Sequence, residues 1–129
     1  MVTIREVMST ELVTVSPTAT VAEAATVMGG RKVGSALVMD EGELAGIFTE
    51  RDILRALSQD FDAPGHPVSH WMSREPKCID PEASVEDALN GMLDGHFRHY
   101  PVSEGGTIIG VVSMRDLSRA AAEERPGRT

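Results

Sequence analysis

The chain is written twice. Adding 64 to a residue number in the first half lands, without a gap, on a residue of the same kind in the second: Met8-Ser9 on Met72-Ser73, Pro17 on Pro81, Val21 on Val85, Ala24 on Ala88, Met28 on Met92, Val38 on Val102, Gly46 on Gly110, and Arg51-Asp52 on Arg115-Asp116. One offset held from Met8 to Asp52 marks a duplicated supersecondary unit, and two copies of such a unit restrict the fold far more than composition does. The polar, Pro- and Gly-containing stretch Gln59 to Ser69 is the join. The expected organisation is repeat one over 1–60, a linker over 61–69, repeat two over 70–122, and a flexible tail over 123–129 that carries Pro126 and Gly127.

Each copy reads strand, helix, strand, strand, helix, which makes the fold class α+β. Leu12 to Val15 is apolar and β-branched and ends at Ser16-Pro17; Pro76 to Ile79 is its counterpart and ends at Asp80-Pro81. Thr20-x-x-Glu23 and Ser84-x-x-Asp87 have the form of capping boxes and open the first helix of each copy. Val21, Ala24, Ala25 and Met28, and likewise Val85, Ala88, Leu89 and Met92, recur at i, i+3, i+4 and i+7, so each helix offers one apolar stripe. Gly29-Gly30 and Gly95 are the expected stops. Two short strands follow, Ala36 to Met39 and Ala45 to Phe48 in copy one, Tyr100 to Val102 and Ile108 to Val112 in copy two, joined by the turns Asp40 to Glu43 and Ser103 to Thr107. The last helices begin at Thr49 and Ser113 and run to about Leu57 and Ala122.

Aromatics make up only 4% of the 129 residues, so the cores must be built from Val, Ile, Leu, Ala and Met. Twenty acidic against twelve basic residues give a net charge of −8, which repels phosphate backbones and argues against nucleic acid and anionic membrane as partners. The single Cys78 excludes an internal disulfide; with no apolar run near the roughly 18 residues that span a bilayer and no apolar leader at the N-terminus, the expected compartment is the cytoplasm. Cys78 itself is expected to be a buried, inert thiol at an apolar strand position. His66 and His70 have i, i+4 spacing, but Pro67 intervenes and no third ligand completes a metal site. Trp71 stands where copy one has Val7 and is expected to pack between the copies, and Arg31-Lys32 to lie on a solvated turn.

The sharpest signal is Gly46-Ile47-Phe48-Thr49-Glu50-Arg51-Asp52, matched by Gly110-Val111-Val112-Ser113-Met114-Arg115-Asp116. Here a strand meets a helix N-terminus, where unpaired N–H groups and a positive dipole end favour a phosphate. A first-turn carboxylate can accept hydrogen bonds from two vicinal ribose hydroxyls, and a neighbouring Arg can pair with phosphate oxygens. The bland alternative is that Thr-x-x-Asp and Ser-x-x-Asp only cap their helices. Both copies, however, keep the Gly and the Arg, which capping does not need.

Taken in order, the βαββα repeat, the Val7-Met8-Ser9 opening and its counterpart before Ser73, the run Thr14-Val-x-Pro-x-x-Thr-Val21, the strand Arg98-His99-Tyr100-Pro101-Val102 and both Gly-x-x-Thr/Ser-x-x-Asp segments resemble a stand-alone pair of cystathionine-β-synthase-type (CBS) domains, over about residues 4 to 120. The resemblance implies two repeats packed about a pseudo-twofold axis with two clefts able to hold adenine nucleotides. By that likeness Asp116 and Asp52 would bind ribose, assisted by Ser113 and Thr49, and Val111 and Ile47 would line the adenine slots. Val33, Gly34, Phe97 and Arg98 would border the clefts, and Arg98, His99, Arg51 and Arg115 would meet phosphate. Copy two has Arg98-His99 where copy one has Gly34-Ser35, so the site with Asp116 is expected to be the stronger. The expected function is regulatory and not enzymatic: an AMP, ADP or ATP sensor, with S-adenosylmethionine and NADH as other adenosine ligands, needing no further cofactor. A homodimer formed through the last helix of each copy (Ile53, Leu54, Leu57; Leu117, Ala120, Ala121) and an effector protein are the implied partners. The rival is a CBS pair that binds nothing and serves as an interaction module.

Overall fold

The computed structural model describes residues 1–124. In chain order its elements are α1 (Ile4–Val7), β1 (Thr14–Val15), α2 (Val21–Arg31), β2 (Ser35–Asp40), β3 (Glu43–Thr49), α3 (Glu50–Gln59), the 3-10 turns Ala63–Gly65 and Val68–His70, β4 (Ser73–Arg74), α4 (Val85–Gly95), β5 (His99–Glu104), β6 (Thr107–Ser113) and α5 (Met114–Glu124). Glu123 and Glu124, assigned to the tail from sequence, close α5; residues 125–129 of that expected tail lie outside the described residues. The chain divides into two compact bodies, Val13–Pro76 and a second made of Met1–Leu12 with the chain from Lys77 onward. Duplication and packing therefore follow different boundaries: the segment before Val13 belongs with the later half.

In the first body the sheet runs in the order β1-β2-β3-β4. β2 and β3 form an antiparallel hairpin from Ser35↔Thr49 to Asp40↔Glu43, with β1 parallel to β2 and β4 antiparallel to β3. Glu41 and Gly42 both take positive φ in its two-residue turn, the geometry whose twist matches the flanking strands. α2 buries Val21, Ala24 and Met28 against Ala36, Val38 and Phe48, the stripe read from sequence. Thr20 and Glu23 cap it reciprocally, and the bonds from Thr20 hold the Glu23 carboxyl below its ordinary pKa. The glycines do not stop α2. It continues through Gly29 and Gly30 to Arg31, and Lys32, in the left-handed conformation, ends it by donating its N–H to the carbonyls of Gly29 and Met28. The join is not slack: Ala63 and Val68 are fully buried.

In the second body β5 and β6 pair from His99↔Ser113 to Glu104↔Thr107, turning through Gly105 and Gly106. The strand expected over Pro76 to Ile79 shrinks to one bridge, Ile79↔Val102. The cause is Pro101: its counterpart Leu37 donates its N–H to the Val13 carbonyl, and proline has no N–H to give. Cys78 is exposed, contrary to expectation, because side chains alternate along an extended chain and Ile79 takes the inward place. Partial desolvation raises its thiol pKa, which works against thiolate reactivity. Ser84 caps α4 by accepting the Asp87 N–H, and the helix ends at Gly95 with His96 left-handed. Ile4, Val85, Ala88, Met92, Tyr100, Val102, Val112, Leu117 and Ala120 form the core.

Candidate functional site

Each body brings a strand end onto a helix start. Phe48 and Val112 point into the cores, so Ile47 with Thr49, and Val111 with Ser113, share the opposite strand face. The N–H of Glu50 donates to the Gly34 carbonyl at 3.0 Å, and that of Met114 to the Arg98 carbonyl at 2.8 Å. These bonds fasten the start of β2 to α3 and of β5 to α5. In one body they gather Gly34, Thr49 and Asp52, and in the other Arg98, His99, Ser113 and Asp116.

Both carboxylates cap. Asp52 Oδ2 accepts from the Thr49 N–H at 2.9 Å and the Thr49 hydroxyl at 3.1 Å, and the Asp52 N–H donates to Thr49 Oγ1 at 3.3 Å. Asp116 Oδ2 accepts from the Ser113 hydroxyl at 2.8 Å and the Ser113 N–H at 3.4 Å, and the Asp116 N–H returns to Ser113 Oγ at 3.2 Å. The other oxygens differ. Asp52 is buried and its Oδ1 accepts from Arg55 Nη2 at 3.3 Å. Asp116 is half-buried, and its Oδ1 has no partner among the described residues.

Of the remaining sequence candidates, Arg51, Arg98 and Arg115 are exposed and His99 is half-buried. The guanidinium groups of Arg98 and Arg115 pair with no other described residue. Val33 is exposed beside Gly34. Phe97 turns toward its own body's core, edge-on to Tyr100 at 4.8 Å. Trp71 packs within the first body: its Nε1–H donates to His66 Nδ1 at 3.3 Å, its ring stacks on His66, and Arg55 lies over it at 5.3 Å. Arg55, which the sequence did not single out, also donates to the Trp71 carbonyl at 2.7 Å. Among the described residues, no group of three or more His, Cys, Asp or Glu is placed to hold a metal, and no helix is long and apolar enough to cross a membrane.

The retained glycines have a packing cause. A Cβ on Gly46 would lie 2.6 Å from the Ser73 carbonyl oxygen and 2.7 Å from Met72 Sδ; one on Gly110 would lie 2.9 Å from the Ser9 oxygen and 2.7 Å from Met8 Sδ. The Met-Ser openings thus lie against β3 and β6 at the motif glycines, and the glycine no longer argues for a ligand. Gly46→Ala and Gly110→Ala are each expected to cost about 1–3 kcal/mol in urea unfolding without any ligand present. A cost near zero for both would mean that the Met-Ser segments do not pack there.

The CBS domain family pattern matches the chain twice, over residues 4–59 and 68–123, once for each copy of the duplication. The chain is a CBS-domain protein. It is 37% identical over 119 residues to the CBS domain-containing protein YhcV of Bacillus subtilis, across 92% of this chain and 84% of that one. Among solved structures it matches the CBS-domain containing protein ATU1752 from Agrobacterium tumefaciens, with a TM-score of 0.88, 30% identity and coverage of 93% of this chain and 99% of that one. It also matches CBSX2, solved in complex with AMP, with a TM-score of 0.78, 26% identity and coverage of 94% and 96%. Two CBS repeats of mixed α+β architecture are therefore the fold of this chain.

Proposed function

We propose that this CBS pair is a regulatory module that binds an adenosine-containing nucleotide of the AMP, ADP or ATP kind, chiefly at Asp116, and converts occupancy into a change of shape or assembly. The observation that carries the reading is the division of labour in the Asp116 carboxylate. Capping uses Oδ2 and leaves Oδ1 open to ribose hydroxyls, which a carboxylate holds in short, charge-assisted bonds. The AMP complex of CBSX2 supports the ligand class. Val111 offers an apolar face to adenine, Arg98 and Arg115 offer charge to phosphate, and His99 offers it a ring nitrogen. Nothing in this reading requires a bond to be broken, so the module is a sensor and not a catalyst. A ligand shifts its state only as far as it binds one conformation more tightly than the other. A homodimer, an effector protein that reads the change, and a cytoplasmic setting belong to the same proposal.

The test is thermal unfolding with AMP, ADP, ATP, NADH and S-adenosylmethionine, on the wild type, Asp116→Ala and Asp52→Ala. A ligand at a hundredfold its dissociation constant stabilises the fold by about 2.7 kcal/mol. That stabilisation is expected for the wild type and Asp52→Ala and absent for Asp116→Ala. If no compound shifts the transition, the non-binding interaction module is the correct reading; if only Asp52→Ala removes the shift, the two sites have been ranked in the wrong order.

A further inference from the structure

The duplication supplies an internal control for one side chain. Arg55 and Arg119 stand at the same place, one turn beyond Asp52 and Asp116. Arg55 is held at three points: the Asp52 carboxylate at 3.3 Å, the Trp71 carbonyl at 2.7 Å and the Trp71 ring at 5.3 Å. Trp71 is itself fixed, stacked on His66 with the ring planes 8° apart and bonded to its Nδ1. In the other copy Val7 stands in place of Trp71, and the Arg119 guanidinium pairs with no other described residue. Asp116 Oδ1 correspondingly takes no bond from a described residue, whereas Asp52 Oδ1 does. The arginine is common to both copies; the tryptophan is not.

Resting on the adenosine reading above, we propose that Arg55, positioned by Trp71, closes the Asp52 site to ribose and so sets the capacity of the chain at one adenosine ligand instead of two. A diol needs the carboxylate edge that the guanidinium covers. Stacking and the carbonyl bond keep that guanidinium in place in a way that a lone i, i+3 ion pair on a helix would not. Arg55 and Trp71 are thus selectivity residues that act by exclusion, and Trp71→Val, which installs the other copy's residue, is the change that would relax them.

Isothermal titration with AMP and with ATP counts the sites on the full chain. The wild type is expected to bind one equivalent, and Arg55→Ala to bind one more. The gained event is expected to vanish in Arg55→Ala combined with Asp52→Ala, and to remain when Arg55→Ala is combined with Asp116→Ala. Trp71→Val is expected to give the same gain, with circular dichroism reporting that each variant folds; Arg55→Gln serves if either does not. If Arg55→Ala binds the same number as the wild type, whatever that number is, the exclusion proposal falls. If the wild type binds none and Arg55→Ala binds one, exclusion stands and the assignment of the primary site to Asp116 falls.

Discussion

Deleting residues 1–12 is expected to unfold the body that begins at Lys77, although the deletion leaves both Gly-x-x-Thr/Ser-x-x-Asp motifs intact. Ile4 is fully buried in that body's core. Its N–H donates to the Ala83 carbonyl at 2.9 Å, that of Arg5 to Pro81 at 2.8 Å, and that of Val85 to Val2 at 3.3 Å. Ser9 and Val111 exchange both backbone bonds, at 2.9 and 3.0 Å, so the segment also covers the open edge of β6. Arg5 adds ion pairs to Glu82 and Glu104, which are exposed and contribute little. The single substitution Ile4→Ala is expected to cost about 2–5 kcal/mol. Urea unfolding followed by circular dichroism measures both variants. A truncated chain that keeps the wild-type midpoint would show that the segment only decorates the surface.

The elements that sequence reading recovered are those whose partners lie nearby. The α2 stripe of Val21, Ala24 and Met28, the two-residue turns after Asp40 and Glu104, and the caps at Thr20 and Thr49 are each settled within a few residues of chain. The role of the first twelve residues was missed because their partners are some eighty to a hundred positions away, as in the pairing of Arg5 with Glu82 and of Ser9 with Val111. A signal was nonetheless present: Met-Ser and Gly recur together in both copies, and the structure shows that each methionine fills the space a Cβ would need. At the site, hydroxyl and carboxylate were legible as a pair because capping is local. The status of the second oxygen was not, since it depends on Arg55 meeting Trp71 across sixteen positions. Trp71 and Val7 were seen to differ, but its partner was expected in the other copy and is found within the first body.

Leu117→Ala is expected to cost about 2–5 kcal/mol, whereas Leu54→Ala should stay within about 0.5 kcal/mol, although both residues lie on helices that follow the motif. The sequence offered Leu117, Ala120 and Ala121 as one half of an association surface, equivalent to Ile53, Leu54 and Leu57. The structure corrects this. Leu117 is 0% and Ala120 6% exposed, both packed in the core beside Val85 and Met92, while Leu54 is 70% and Leu57 51% exposed. The offset of 64 explains the difference: Leu117 corresponds to the inward Ile53, and the outward Leu54 and Leu57 correspond to Ser118 and Ala121. Helix periodicity alone could not separate them, because Ile53, Leu54, Ala56 and Leu57 share one broad apolar arc of α3, and which part of that arc the core covers is settled by packing. Phe61, just past the end of α3, is 96% exposed. If the chain self-associates through a twofold, Leu54→Ala should weaken the dimer in sedimentation while sparing the fold, and Leu117→Ala should do the reverse. A Leu117→Ala chain with wild-type stability and impaired association would restore the surface that the sequence suggested and overturn the core placement of α5.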